Sequence, residues 1–438
     1  MTVERPSNVY QEQLSSPYHG LALWRPNPAG IYEQVSIGDV GYVLDGAFIR
    51  MFNVTLPWDD ESNRTLGTPP PYDFLNTGNV TIRHENFGRE ERYSRPVVRV
   101  ENANNVMAAA PDQAEGVTYT CRRRGALLSL PRGGHHEDAI HIKVFEKYIR
   151  DHVVSWFNWS RDIGLPVERM EDLVLVYGCT LVTSWAAAAF DDNTADAQIS
   201  LASHMLHNGG AGFVWSNQSG TVEHRDSQLE FLPNGPPAPR NQCVFIKCFR
   251  AKRIFFWTRH FRAAAEPLPD DPDSSQEDEI QVTQVPGSSK YRDPLIGVLD
   301  YIVEKCLEDD MDDDDDSDED DIVKDDMAIT YHDDLQLIKD VEVLTADAVE
   351  QFLHENEMPL FVTDGATMLW DPWEVDEEES DKRMSDGAST TIKPDIDAFG
   401  FLSLSPQMPL GPPRRGSKTK RPNRGDRGDQ RAEWRFAL

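Results

Sequence analysis

The stretch VGYVLDGAFIRMFN, residues 40–53, contains the clearest hairpin signal in the chain. Asp45-Gly46 separates two runs of β-branched and aromatic residues, and this dipeptide favours a two-residue turn in which both φ angles are positive. Because side chains alternate along a strand, Phe48, Arg50 and Phe52 are predicted to share one face. The stretch therefore predicts antiparallel β-structure near the beginning of the fold.

The stretch AIHIKVFEKYIRDHVVSWFNW, residues 139–159, predicts the main helix. Its apolar side chains recur at intervals of three and four, as one buried stripe requires. The predicted stripe consists of Phe145, Tyr148, Ile149, His152, Val153 and Trp156. Asp138 is a suitable N-cap near the start of the helix, and Gly164 is expected to end it.

Several strand candidates follow this helix. Leu173 to Tyr177 indicates a buried strand, and the LVTSWAAAAF run after it fits either a strand or a short helix. Further strands are predicted at AQISLASH, GFVWSN, TVEHRD and CVFIKCFRAKRIFFW. Many strands with one strong helix favour an α+β fold. We therefore predict a mostly antiparallel sheet with one prominent long helix, plus disordered acidic and basic C-terminal segments.

Composition divides the chain into two regimes. The 438 residues include 75 Asp and Glu against 43 Lys and Arg, a net charge of −32, and most of the acidic excess lies beyond residue 265. A run such as PLPDDPDSSQEDE cannot bury enough apolar surface to offset its chain entropy. We predict a globular α+β domain over 1–265, an acidic linker over 266–288, a helix docked on the core over 289–307, an acidic disordered run over 308–326, a small appendage or core extension over 327–372 and a disordered tail over 373–438 that is basic at its end.

The N-terminus and the cysteines predict a cytoplasmic protein. The first 20 residues lack a basic start followed by an apolar run, so no cleaved secretory signal is expected, and no segment has the character of a transmembrane helix. The five cysteines form no C-x-x-C pair, which favours reduced and mostly buried thiols.

The C-terminal tail carries nine Lys and Arg against three Asp and Glu between Arg414 and Arg435. Such a tail can serve as a nuclear-import signal or a nucleic-acid arm, or it can fold back on the acidic run. Contacts within the chain or with unknown protein partners are favoured over import. Nucleic acid is expected as a partner only through this tail.

The candidate site residues crowd one segment, RRRGALLSLPRGGHHEDAIH at residues 122–141. They are Arg122, Arg123, Arg124, Arg132, His135, His136, Glu137, Asp138 and His141. On a helix, His136 and His141 would point about 140° apart, which excludes a metal site on one helical face. A metal site that uses His135 or His136 from a loop stays open.

Two other interpretations of this segment compete with a metal site. Gly133-Gly134 can form a turn, with Glu137 and Asp138 capping the following helix. Alternatively, the glycines and arginines before a helix N-terminus can bind an anion. No residue is assigned from the sequence as catalytic, cofactor-binding or metal-binding.

Two further segments contain residues suited to catalysis or binding. Cys179 follows a predicted strand and is the least implausible nucleophile, but a small buried thiol is the favoured interpretation. The segment CFRAKRIFFWTRHFR alternates basic and aromatic residues, which is typical of nucleic-acid or membrane surfaces. A strand with one buried face gives the same alternation, and its bases can pair with the acidic linker.

The stretches SIGDVGYVLDGAFIRMFNVTLPWD, MEDLVLVYGCTLVTSWAAAAF and DPLIGVLDYIVEKCLE resemble a family of proteins from mushroom-forming (agaricomycete) fungi. The resemblance spans roughly residues 18 to 355. It implies an intracellular fungal protein with a folded N-terminal region and an acidic insert. It transfers no activity, catalytic residue, cofactor or substrate.

These observations favour a non-catalytic protein-interaction module with electrostatically tuned disordered segments over an enzyme. The first alternative is a hydrolase-like enzyme that uses the Arg/His/Glu cluster at 122–141, which would require those side chains to converge in a concave pocket. The second alternative is a membrane-perturbing effector that exposes the aromatic-basic strand near Phe255.

Overall fold

A computed structural model of the chain describes residues 5–27, 34–76, 80–100, 115–191, 197–205, 211–219, 222–227, 239–254, 291–309, 327–338, 341, 343–363 and 366–369. All of them belong to one unit, Met1–Glu374. The linker predicted over 266–288, residues 310–326 of the acidic run and the tail predicted over 373–438 lie outside the described residues. No helix in the described part of the chain is long and apolar enough to cross a membrane.

The described residues form five α-helices and eighteen strands, with short 3₁₀ turns at Met170–Asp172 and His332–Leu337. The helices are α1 (Pro6–Leu14), α2 (Glu61–Arg64), α3 (Ile142–Asp162), α4 (Pro294–Asp309) and α5 (Ala346–Glu355). The strands are β1 (Leu21–Ala22), β2 (Asp39–Leu44), β3 (Ala47–Asn53), β4 (Ile82–Phe87), β5 (Glu90–Tyr93), β6 (Val97–Val100), β7 (Glu115–Cys121), β8 (Gly125–Leu130), β9 (Gly134–Ala139), β10 (Leu173–Val182), β11 (Ala186–Phe190), β12 (Ala197–Met205), β13 (Ala211–Ser219), β14 (Val222–Asp226), β15 (Gln242–Arg253), β16 (Met327–Tyr331), β17 (Leu360–Thr363) and β18 (Ala366–Leu369).

The main sheet has ten strands and centres on β10 and β15. Its order is β17-β18-β16-β15-β10-β2-β3; β1 also pairs with β15, and β9 pairs with both β10 and β4. The β16–β18 pair is parallel, and the other pairs in this sheet are antiparallel. The predicted α+β class is confirmed. Helix α3 has 21 residues and α4 has 16, so a single prominent helix is not evident.

The hairpin predicted at residues 40–53 consists of β2 and β3, and its turn residues have the positive φ angles that the Asp-Gly pair favours. The φ angles of Asp45 and Gly46 are 48° and 78°. The prediction that Phe48 and Phe52 share a face is wrong. A register shift between Val40/Phe52 and Gly41/Arg50 marks a β-bulge, and the extra residue puts the two phenylalanines into different core clusters.

Helix α3 packs on one face of the main sheet through most of the predicted stripe. Phe145, Tyr148, Ile149, Val153 and Trp156 are buried there, and Gly164, at a φ of 77°, follows the end of the helix as predicted. The predicted start near Asp138 is wrong. Residues 134–139 form a strand because β4 and β10 supply backbone hydrogen bonds on both of its edges, and the helix begins at Ile142.

The opposite face of the main sheet is covered by α4 and α5, which bury Leu295, Leu299 and Ile302 together with Val349 and Leu353. Residues 327–369 therefore contribute both strands and a helix to this part of the fold. Four of the five cysteines, all of which are described, are buried, and none forms a disulfide.

Two four-stranded sheets pack face to face beside the main sheet. Their orders are β14-β11-β8-β5 and β13-β12-β7-β6, and a separate apolar cluster that includes Tyr119, Leu127, Phe190 and Ile199 fills the space between them. Helix α1 covers the outer face of the first of these sheets. The LVTSWAAAAF run, left open between strand and helix, ends β10 and forms β11.

Candidate metal centre on strand β9

Strand β9 places adjacent residues of the predicted cluster on opposite faces. It lies between β4 and β10, with His84 directly opposite Glu137 on one side and Cys179 opposite Glu137 on the other. Side chains alternate along a strand, so His135 and Glu137 share a face, whereas His136 lies on the other face. The HHE tripeptide therefore supplies two different sites.

Three metal-ligating atoms meet on the face that carries His135 and Glu137. His84 Nδ1 is 3.1 Å from His135 Nε2, His135 Nε2 is 3.4 Å from Glu137 Oε1, and His84 Nδ1 is 3.7 Å from the same carboxylate oxygen. The two imidazoles stack, with ring centroids 5.2 Å apart. The side chains of His135 and Glu137 are about one-fifth exposed and that of His84 is half exposed, so the three atoms are accessible to solvent.

The distances within the triangle of ligand atoms are compatible with tetrahedral zinc. For metal–ligand bonds of about 2.1 Å, its sides correspond to ligand–metal–ligand angles of roughly 95–125°, around the tetrahedral value. Two imidazoles and one carboxylate are also a ligand set that catalytic zinc sites use, with water in the fourth position. The same three residue types suit non-haem Fe(II), which prefers more ligands.

Asn86 fixes the orientation of one ligand. Its Oδ1 lies 3.2 Å from His135 Nδ1 and accepts a hydrogen bond of 2.8 Å from Arg240 Nη1. Because an amide oxygen only accepts, the proton of neutral His135 is on Nδ1, and Nε2 presents its lone pair towards His84 and Glu137. Ligating histidines in metal sites are oriented in the same way, by a hydrogen bond at the second ring nitrogen.

Cys179 lies beside this site as a buried thiol. Its Sγ is 4.0 Å from Glu137 Oε2 and 3.8 Å from the carbonyl oxygen of Val35. Burial raises the pKa of the Cys179 thiol well above its usual value, with further contributions from nearby Cys243 and Glu137. A thiol held in the protonated form is a poor nucleophile, so the geometry favours the interpretation of Cys179 as a packing residue.

The opposite face of β9 borders a polar cavity of about 360 Å³. His136 Nδ1 lies 2.9 Å from Thr180 Oγ1, and the His136 ring stacks on Phe87 and faces His19. Burial lowers the pKa of His136, and burial with the charge of Arg92 lowers the pKa of His19 to about 3. Both imidazoles are therefore neutral at physiological pH.

Asp138, also on this face, pairs with two cations across the sheet. Its carboxylate lies 3.3 Å from Arg83 and 3.6 Å from Lys247. A Cβ at Gly178, directly opposite, would lie 2.4 Å from Asp138 Oδ1, so a larger residue there would displace this carboxylate. The predicted roles of Glu137 and Asp138 as helix caps are wrong, since both residues pair within the sheet.

The remaining members of the predicted cluster do not join either site. Arg122, Arg123 and Arg124 lie in the turn between β7 and β8, where Arg124 pairs with Glu12 of α1. Arg132 lies in the turn before β9, next to Gly133 at a φ of 65°. His141 precedes α3 and makes no side-chain cap hydrogen bond. The predicted cluster is thus divided among two turns, the two faces of strand β9 and the position before α3.

The sequence reasoning missed His84, Asn86 and Arg240. A period-two pattern does mark His84 and Asn86 as residues on one face of a strand, since IRHENF forms β4 in the structure. Nothing local shows that this strand pairs with β9 across about fifty intervening residues. Arg240 lies two residues before β15 and carries no local signal.

A second group of ligating atoms lies where α4 meets α5. Glu304, Glu350 and His354 each offer one atom to it, and His354 Nε2 is 3.4 Å from Glu304 Oε2. Glu304 and His354 are exposed, and exposed carboxylates are common without metals. A metal assay therefore needs a control for binding at this group.

The aromatic-basic segment is largely internal where it is described. Phe249 and Arg250 of β15 are buried, and Arg250 donates two hydrogen bonds to Asp293 Oδ2. Lys252 pairs with Asp300 of α4. The alternation at this end of β15 thus reflects packing and ion pairs within the chain. Phe255 to Trp257, on which the membrane alternative depends, lie outside the described residues.

Comparison with known protein families and with curated proteins finds no match to this chain. The resemblance to the fungal family therefore stays a prediction. Any functional conclusion rests on the geometry of strand β9 and its neighbours.

Proposed function

We propose that this protein is a metal-dependent hydrolase that binds a divalent ion of the zinc type through His84, His135 and Glu137. The observation that carries the proposal is the triangle of ligand atoms, with sides of 3.1, 3.4 and 3.7 Å. The tautomer of His135 imposed by Asn86 supports it, because the nitrogen with the lone pair is the one that belongs to the triangle.

Hydrolysis is a reaction that a metal with three protein ligands would support. Three protein ligands leave a fourth position for water, and a bound zinc ion lowers the pKa of that water to about 7. A hydroxide held there would add through its oxygen to a carbonyl carbon or a phosphorus atom. The bond to the leaving group then breaks, and the leaving group takes up a proton. Buried Cys179, with its raised pKa, offers no competing nucleophile at this position.

Of the predicted cluster, only His135 and Glu137 belong to the proposed metal site. The third ligand, His84 of β4, was not in that cluster. The non-catalytic interaction module predicted from the sequence stays a prediction. If the purified protein binds no metal, that result would favour the interaction module. Cytoplasmic location and protein partners are proposed on the sequence features alone.

The direct test is zinc content of the full-length protein after loading and extensive dialysis. Glu137→Gln removes the charged ligand with little change in shape, and Asp138→Asn is the matched control on the opposite face of the same strand. We expect one zinc equivalent fewer in Glu137→Gln than in the wild type and no loss in Asp138→Asn. Background binding at Glu304, Glu350 and His354 is common to all three proteins.

The catalytic part of the proposal has its own readout. The zinc-loaded protein is assayed against a panel of carboxylic and phosphoric esters, with Glu137→Gln as the inactive reference. Metal-dependent turnover that disappears in Glu137→Gln supports a hydrolase. Equal zinc content in the wild type and Glu137→Gln would overturn the metal site, and stoichiometric zinc without turnover of any ester would overturn hydrolysis.

A further inference from the structure

Arg240 is a cation that contacts Asn86, the residue that orients one of the proposed metal ligands. Its Nη1 donates a 2.8 Å hydrogen bond to Asn86 Oδ1, the oxygen that also contacts His135 Nδ1. The side chain is exposed. Within the described part of the chain, Arg240 forms no ion pair. Its remaining guanidinium N–H groups are therefore available to a ligand.

The lack of an ion-pair partner among the described residues is unusual in so acidic a chain. With 75 acidic residues against 43 basic ones, carboxylates are in excess, and Arg83, Arg124 and Arg250 each pair with one. An arginine that is anchored through an amide oxygen keeps its full charge for another group. A guanidinium fork matches the oxygens of phosphate and carboxylate.

Resting on the proposed metal site, we propose that the substrate is a phosphate monoester and that Arg240 binds its phosphate oxygens. A divalent ion with one carboxylate ligand and a neighbouring guanidinium leaves a site with more than one excess positive charge. A phosphate dianion compensates that charge better than a single carboxylate does. Arg240 and His135 contact one shared atom, Asn86 Oδ1, which holds the guanidinium beside the His135 ring. In this proposal the phosphate extends from the open position of the metal towards Arg240.

Each partner of such an anion has a defined task. A metal held by His84, His135 and Glu137 would supply the attacking hydroxide at its open position, while Arg240 would stabilise the charge on the phosphate oxygens. The oxygen of the hydroxide bonds to phosphorus as the bond from phosphorus to the ester oxygen breaks. The alcohol leaves with a proton from solvent, and inorganic phosphate remains. Inorganic phosphate, as the product, is therefore the simplest probe of the site.

The test uses full-length protein loaded with Co²⁺, whose visible absorption reports the ligands of the metal, and titrates it with inorganic phosphate. We expect a saturable spectral change in the wild type. Arg240→Gln should retain the Co²⁺ spectrum but bind phosphate at least tenfold more weakly. Arg83→Gln is the matched control, because Arg83 of β4 pairs with Asp138 on the other face of the sheet.

The outcomes separate this inference from the proposed function. A wild-type protein with no Co²⁺ spectrum overturns both. A normal Co²⁺ spectrum that does not respond to phosphate, or that responds identically in the wild type and Arg240→Gln, overturns only the phosphate site and leaves the metal site standing. A tenfold weakening of phosphate binding in both arginine variants would also contradict the phosphate site at Arg240. The loss of one positive charge anywhere near the metal would then explain the effect.

Discussion

His135 and His136 are neighbours in the sequence, yet their imidazoles lie on opposite faces of β9. His135 Nε2 is 3.1 Å from His84 Nδ1, whereas His136 Nδ1 is 2.9 Å from Thr180 Oγ1. We expect His135→Ala to abolish stoichiometric zinc binding and His136→Ala to retain it, as measured by elemental analysis of the dialysed proteins. Thermal unfolding checks that both variants fold. Loss of zinc in both, with normal folding, would contradict the separation of the two faces.

Asn86→Ala tests the hydrogen bond that orients His135. The three ligands remain, so the number of zinc ions bound should not change. The affinity should fall by about 10- to 100-fold, because His135 loses the acceptor that fixes its tautomer. Competition with a chromophoric chelator measures this constant. Glu85→Ala, a neighbouring position on the opposite face of β4, should leave the affinity unchanged, and an equal loss there would argue against a specific role for Asn86.

The α+β class, the Asp45-Gly46 turn and the buried stripe of α3 could be predicted because each depends on local periodicity. The start of α3 could not, because residues 134–139 join a sheet with partners far away in sequence. Because residues 134–139 were predicted to precede or begin a helix, the metal site on β9 could not be recognised. A helical period separates His135 from Glu137, but a strand puts them on one face, and the third ligand arrives only through long-range pairing.

Asp334 makes the stability of the fold depend on pH. Burial raises the pKa of its carboxyl to about 7, although Thr330 Oγ1 and Tyr331 N both donate hydrogen bonds to it. The folded state therefore holds a proton that the unfolded chain loses near pH 4, so this contribution to stability is complete below pH 4 and is lost as the pH rises through 7. Asp334→Asn should gain stability relative to the wild type, on the order of a few kcal/mol, between pH 5 and pH 8.

Urea unfolding at several pH values measures this difference. Asp39 has a carboxyl pKa raised by burial to about 6, but it is present in both proteins and cancels in the comparison. Asp333→Asn removes the same charge one residue away and should show no comparable gain. A constant difference between Asp334→Asn and the wild type from pH 5 to pH 8 would show that Asp334 is already ionised in the fold.

The ion pair between Arg250 and Asp293 holds the beginning of α4 against β15. Asp293 Oδ2 accepts hydrogen bonds of 3.1 and 2.8 Å from Arg250, and Asp293 Oδ1 accepts one of 3.0 Å from the Leu295 amide in the first turn of the helix. Asp293→Ala leaves a buried guanidinium without its counter-charge, so it should lower the free energy of unfolding by about 3–5 kcal/mol. The exposed pair between Arg292 and Asp347 is the control, and Asp347→Ala should cost less than about 1 kcal/mol. Denaturant unfolding of both variants gives the comparison. Similar small losses in the two would mean that α4 is held by its apolar face alone, through Leu295 and its neighbours.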